Sequence, residues 1–395
     1  MPFELATATR IVFGRGAVRE VAAAAKTMGG RALLVTGSQR ESVLRLLEAL
    51  CAERIDGVGF EVHSEPTLDL VRQGVEVARR ESCDLVIACG GGSAIDAGKA
   101  IAALLTNPGE LGDYLEVIGK GQPLRRPSLP FIAVPTTAGT GSEVTRNAVL
   151  ASTQHRVKVS LRSPFMLARL AVVDPELTLD LPPDVTARTG LDALTQLIEP
   201  YVSLRANPLT DAFCREGLRR IGGWLRRAYH EGGDIEARES MSLASLLGGL
   251  ALANAGLGVV HGFAAPVGGM FDAPHGAVCA ALLPHVMEMN WRAALARAPR
   301  SGTPGRYETV ARLLTGNPTA TAADGVDWVR RLCRELQIPS LASYGIQAQD
   351  VPALVDKAAR ASSTKGNPLQ LTTEELTEVL TASLRPPGGA PPLGR

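Results

Sequence analysis

The chain has 395 residues, 41 basic and 40 acidic, with 45% hydrophobic and only 4% aromatic residues. Balanced charge excludes the broad basic field that nucleic acid or an anionic membrane would require, and the scarcity of rings argues against base-stacking platforms. A chain of this length outgrows one hydrophobic core, so two domains are expected.

The start, MPFELATATRIVFG, lacks a basic stretch followed by an apolar one, so no secretory leader is read there. Arg31–Thr36 is a β-type run, followed by a helical pattern over Glu41–Ala52 and a second short run at Gly57–Val62. Leu68–Arg80 reads as a helix, because Leu68, Val71, Val75 and Ala78 share one face. Asp84–Cys89 is almost wholly apolar, as in a strand covered on both faces, and a helix starts soon after it. Phe131–Val134 is another buried strand candidate. This alternation predicts an open parallel sheet. It stops near Asp174–Pro183, where two prolines adjoin and Asp184 is placed to cap a helix. Beyond that point the periodicity is helical only.

The expected division is therefore an α/β domain over residues 1–183, an all-helical domain over 184–385 and a disordered Pro/Gly-rich tail over 386–395. Leu243–Val260 is the longest apolar stretch, but Ser, Asn and glycines break it, so it reads as a buried helix and turn rather than a membrane span. Cys51, Cys83, Cys89, Cys214, Cys279 and Cys333 are scattered without a C-x-x-C pair, which fits reduced, mostly buried thiols in a cytoplasmic protein.

Two loops at strand ends carry chemistry. Gly90-Gly91-Gly92-Ser93 joins the strand at Asp84–Cys89 to a helix. Glycines let the backbone approach a ligand closely, and the N–H groups of a first helical turn hold a phosphate. Ser93 is placed to cap the helix or to donate to that phosphate; a tight structural turn is the competing reading. The second loop, Pro135–Glu143, follows the next strand and offers Thr136, Thr137, Thr140 and Ser142 with little bulk around them. Open α/β sheets bind ligands at such carboxyl ends. Asp96 and Lys99, at i and i+3 beyond the Gly turn, are spaced to form an ion pair.

In the helical half, Asp192 and Gln196 share a helix face in TGLDALTQLIE, and His261 and His275 follow in VVHG and PHGAVCAALLPHV. An Asp and two His from separate segments can bind a divalent ion, although a lone His beside Gly is more often structural. His63, His155 and His230 read as surface or loop residues, and His285 as a buried or helix-end hydrogen-bonding residue.

Together, GGGSAIDAGKA, PTTAGTGSEVT, GLDALTQLIE and the paired VHG and PHGAVCAALLPHV segments resemble the iron-containing (group III) alcohol dehydrogenases over nearly the whole chain. The resemblance implies a dehydroquinate-synthase-like fold: an α/β N-terminal Rossmann-like domain, an all-α C-terminal domain and an active site in the cleft between them. It implies a cytoplasmic homodimer or larger homo-oligomer acting on a small alcohol or aldehyde. It assigns Gly91, Gly92 and Ser93 to the cofactor pyrophosphate, and Thr136, Thr137, Thr140, Ser142, Asn147 and Lys158 to the cofactor cleft, with Asp96 nearby. It places Asp192, position 196, His261 and His275 at the metal, Fe²⁺ or Zn²⁺.

Two departures bear on the metal: Gln196 stands where the family has a histidine ligand, and Ala265 where it has a further active-site histidine. Gln offers only a neutral amide oxygen, a weaker ligand than imidazole.

NAD-preferring relatives carry Asp where Gly37 stands. Without that carboxylate nothing repels a 2′-phosphate, and Ser38 and Arg40 are suited to pair with one. NADP(H) is thus expected to be preferred or accepted beside NAD(H), against a plain Gly-Ser turn with a solvated Arg. The predicted chemistry is hydride transfer, with His261 and His275 as catalytic candidates. The rivals are a metal-free reductase resembling maleylacetate reductases and a cofactor-binding protein that has lost catalysis. A cyclase resembling dehydroquinate synthase would need phosphate-binding Lys and Arg that the motifs lack.

Overall fold

The computed structural model describes residues 2–38 and 40–385, with Arg40 described by its backbone alone. The tail expected at 386–395 lies outside the described residues. The first half is a six-stranded sheet in the order β1-β8-β5-β4-β2-β3, parallel at every pairing. Its strands are β1 (Ile11–Phe13), β2 (Arg31–Thr36), β3 (Asp56–Glu61), β4 (Leu85–Gly90), β5 (Phe131–Pro135) and, after a hairpin, β8 (Leu170–Val173). The apolar runs of β4, β5 and β8 are buried along their whole length, as expected of strands with helices on both faces. Those helices are α1 (Glu20–Lys26), α2 (Arg40–Ala52), α3 (Leu68–Arg80) and α4 (Gly92–Thr106), followed by the short α5 (Leu111–Tyr114).

From β2 the chain runs outward to β3, then returns past β2 to β4 and on to β5. The direction of winding therefore reverses between β2 and β4. The carboxyl ends of these two strands open a crevice, the usual ligand site of such a sheet. The edge strand β1, its neighbour β8 and the antiparallel hairpin of β6 (Asn147–Ser152) and β7 (Val157–Arg162) were not anticipated from the sequence. β1 and β8 are short, and β1 has only three residues, too few for a period to show.

The second half is helical: α6 (Pro183–Val202), α7 (Pro208–His230), α8 (Ile235–Ala255), α9 (Val259–Met270), α10 (His275–Arg297), α11 (Thr303–Thr315), α12 (Ala322–Glu335), α13 (Val351–Arg360) and α14 (Thr373–Ser383). The cap expected of Asp184 is not made. Pro182 is the N-cap of α6, and Asp184 lies in its first turn, where its charge suits the helix dipole. The apolar stretch expected as helix and turn spans α8 and α9, which meet at 99°, with Gly256 at φ 72° ending α8. Among the described residues no single helix is long and apolar enough to cross a membrane, although this bent pair would pass by composition. Both helices are largely buried in the protein core. One core lies among these helices, and two more lie on the two faces of the sheet.

Candidate active site

The two strand ends at the crevice are drawn together by glycine. A Cβ on Gly90 would sit 2.9 Å from Gly37 N and 2.7 Å from the Ala94 Cβ, contacts real side chains do not make. Gly91 is the N-cap of α4, and no side chain caps that end. Ser93 is the second helical residue, so it does not fill the capping role anticipated for it. The uncapped amides thus stay available to an anion. Ser38 is exposed beside Gly37; the Arg40 side chain lies outside the described residues.

The loop Pro135–Glu143 leans on this turn: a Cβ on Gly92 would lie 2.7 Å from Thr140 Cγ2. Thr137 and Thr140 are half-buried at the crevice, whereas Thr136 is wholly buried. Beneath the loop lies a closed polar network. Ser142 Oγ donates to Asp96, which also accepts from Val149 N at 2.9 Å and pairs with Lys99 at 3.1 Å. Lys99 Nζ also donates to Ser142 O at 2.9 Å, to Thr145 Oγ1 at 3.0 Å and to Asn147 O. Ser142 and Asp96 are therefore spent on each other, and Asn147 enters through its carbonyl. Burial pulls the Lys99 pKa down against the pull of Asp96, and burial pushes the Glu143 carboxyl up to about 7.

The same loop touches the helical half. A Cβ on Gly139 would lie 2.7 Å from the Thr189 Cβ on α6, and one on Gly141 would lie 2.4 Å from Gly249 Cα on α8. Thr189 is three residues, about one turn, before Asp192. On the far side, Lys158 of β7 pairs with Glu65 at 2.9 Å and packs on α9 where Gly268 leaves room.

Three helices converge next to this junction. Asp192 comes from α6, His261 is the third residue of α9, and His275 is the first residue of α10. His261 Nε2 is 3.5 Å and His275 Nε2 3.6 Å from Asp192 Oδ1, too far for hydrogen bonds but suited to ligands of one ion. A fourth donor, Cys279, lies one turn after His275. The four donor atoms all lie within 4.8 Å of one another.

Glu199, two turns along α6 from Asp192, fixes His261. Its Oε2 is 2.6 Å from His261 Nδ1, and its Oε1 accepts from Val260 N at 2.7 Å, satisfying an amide at the start of α9. Nδ1 thus keeps its proton, and Nε2 is the nitrogen turned to the cluster, where an ion would displace its proton. Neither Glu199 nor Cys279 was anticipated, though both carried a signal: Glu199 is at i+7 from Asp192 and Cys279 at i+4 from His275.

The electrostatics favour a cation here. Burial opposes charge on all four groups, yet the neighbouring imidazoles hold Asp192 and Cys279 below their usual pKa. Conversely, burial lowers the two histidines, but the charges of Cys279 and the carboxylates lift His261 well above its ordinary value and His275 to about 9. Asp192 Oδ1 and Gln196 Oε1 are buried without a hydrogen-bond partner among the described residues. Orphaned acceptors of this kind are costly unless something positive meets them. The residues present therefore fit a divalent ion. The cluster opens to solvent on one flank, where the His275 side chain is 33% exposed against 2% for Asp192.

Residues 8–175 match the family described as Iron-containing alcohol dehydrogenase, and residues 186–384 match Fe-containing alcohol dehydrogenase family, C-terminal. The chain is 38% identical to Alcohol dehydrogenase 4 of Schizosaccharomyces pombe over 379 residues, covering 94% of this chain and 87% of that protein. It is 34% identical to the NAD-dependent methanol dehydrogenase of Bacillus methanolicus, with 94% and 97% covered. The crystal structure of a 1,3-propanediol oxidoreductase superposes with a TM-score of 0.90 at 35% identity, covering 97% of this chain and 100% of that one.

Proposed function

The chain belongs to the iron-containing alcohol dehydrogenase family and is an oxidoreductase, and from that premise we propose that it moves a hydride between nicotinamide C4 and a small alcohol or aldehyde. The observation that carries the reading is the convergence of Asp192, His261 and His275 beside a loop that also packs on a glycine-rich phosphate cradle.

Gly91, Gly92 and Ser93 receive the cofactor pyrophosphate on the uncapped start of α4. Thr137 and Thr140 line the cofactor, Lys158 approaches it from β7, and Thr136, Ser142, Asn147 and Asp96 hold the loop in shape. Asp192, His261 and His275, with Gln196 beside them, would hold Fe²⁺ or Zn²⁺. Such an ion supplies a Lewis acid for the carbonyl oxygen, as the bound nicotinamide supplies the hydride. Glu199 keeps the proton on His261 Nδ1. Without such an ion, His275, on the exposed flank, would be the group placed to hand a proton to the substrate oxygen. Ala265 offers no ionisable group from α9, so the substrate's proton would have to be exchanged with solvent.

Gly37, Ser38 and Arg40 accept the 2′-phosphate of NADP(H), and NAD(H) binds without it. The working division is a dinucleotide domain over 1–183 and a metal and substrate domain over 184–385. We assign the enzyme to the cytoplasm, on its scattered unpaired cysteines, as a homodimer or larger. Exposed Phe3 and Leu5, leading into the edge strand β1, suit such contact.

A panel of small aldehydes assayed with NADPH and NADH tests the reading. Turnover with the higher kcat/KM for NADPH is expected. No turnover on any simple aldehyde rejects the activity, and equal or better kcat/KM with NADH rejects the cofactor preference.

A further inference from the structure

We propose that Cys279 is the fourth protein ligand of the metal centre, giving a site of one oxygen, two nitrogens and one sulfur whose resident ion is Zn²⁺ rather than Fe²⁺. This rests on the reading of Asp192, His261 and His275 as a metal site.

Cys279 Sγ is 3.7 Å from His275 Nε2 and 3.9 Å from His261 Nε2. A tetrahedral zinc with its usual bond lengths to nitrogen and sulfur sets those atoms roughly 3.5 Å apart. These two separations, and the 3.5 and 3.6 Å between Asp192 and the two histidines, thus lie within a few tenths of an ångström of the edges of such a tetrahedron. Placement is rigid, because His275 and Cys279 are at i and i+4 on α10 and present the same face.

The other fully buried thiols for which a partner is resolved behave differently. Cys333 donates to Ala280 O at 3.5 Å and Cys89 to Ser42 O at 4.0 Å, the local contacts of structural cysteines. Cys279 instead meets the two imidazole nitrogens that face Asp192. Charge also selects it over Gln196. The pocket is buried, and a dication there is best balanced by two anions. Asp192 and the Cys279 thiolate supply two; a Gln196 amide supplies none. The choice of ion follows, since sulfur beside two imidazoles is a zinc set, whereas a carboxylate and imidazoles alone also serve iron.

The test loads metal-stripped protein with one equivalent of Co²⁺, which reports sulfur ligation by a thiolate-to-cobalt charge-transfer band in the near ultraviolet. Wild type should show the band. Cys279→Ser should bind Co²⁺ without it, and should bind Zn²⁺ more weakly by more than the roughly 10–100-fold that loss of a supporting hydrogen-bond partner costs. Gln196→Ala should retain the band and lose less affinity. Thermal melts of the stripped variants establish that both fold, and Cys279→Ala serves if the serine variant does not. Cobalt bound without the band in wild type, or a band that survives in Cys279→Ser, overturns the Cys279 proposal and leaves the metal reading standing. No cobalt uptake by folded wild type overturns both.

Discussion

Glu143 sits in the loop that bridges the two halves, and its buried carboxyl gives that loop a pH dependence. It is 3% exposed, and burial raises its pKa from 4.5 to about 7 despite the pull of Lys99. A carboxyl raised on folding is harmless while protonated in both states. Above the unfolded value of 4.5 the unfolded chain releases the proton while the folded chain keeps it, so the folded state loses ground. The loss grows until the folded value near 7 is passed and is constant thereafter. At about 1.4 kcal/mol per pH unit, the window between pH 5 and pH 8 is worth roughly 2–3 kcal/mol. Glu143→Gln keeps the shape and cannot ionise. Its stability relative to wild type should therefore improve by about that amount between pH 5 and pH 8. The Asp96–Lys99 pair is common to both proteins and largely cancels in the difference. Urea unfolding of both metal-free proteins at the two pH values reads it directly. A wild-type-to-variant difference that is the same at pH 5 and pH 8, or that moves in favour of wild type, refutes the argument.

Three further outcomes follow from the site. Gly141→Ala places a Cβ 2.4 Å from Gly249 Cα and asks alanine to hold φ +59°, so it should cost about 3 kcal/mol, read as a fall in melting temperature. A melt within a degree of wild type would mean the contact is slack. Glu199→Gln removes the charge that fixes His261 and should weaken metal binding about 10–100-fold in a chelator competition, with the pH dependence of binding altered as well. Unchanged affinity would show that the tautomer is set by other means. His275→Ala should abolish turnover while NADPH still quenches or shifts protein fluorescence on binding; retained turnover would remove His275 from the chemistry.

Much of the sheet could be read from residues because β4 and β5 are long apolar runs closed by glycine or proline, and Leu68–Arg80 has the boundaries its period implies. β1 and β8 escaped notice because they are short and their pairing is set by partners distant in sequence: β1 lies beside β8, some 160 positions away. At the site, residue type was legible and division of labour was not. Asp96 and Ser142 offer polar groups to any reader, yet only coordinates reveal that these groups satisfy each other. Cys279 belongs to no paired-cysteine motif. Its relevant neighbour is a histidine one helical turn away, and its other partners arrive from α6 and α9. Glu199 is hidden for the same reason: its work is done on a helix that begins 60 residues later.

The side-chain-free seams at Gly139 and Gly141 have a thermodynamic consequence. Backbone meets neighbouring atoms there with no flexible side chain to absorb a shift, and α6 carries Asp192 one turn beyond Thr189. The loop proposed to seat the nucleotide and the helix proposed to seat the ion therefore meet with little slack between them. Where occupancy at one end shifts that seam, the two ligands become energetically linked. Linkage is reciprocal: whatever factor the nucleotide imposes on ion affinity, the ion imposes on nucleotide affinity. Removing the ion would then change nucleotide affinity by the same factor as removing the nucleotide changes ion affinity, which titrating each ligand with and without the other would read.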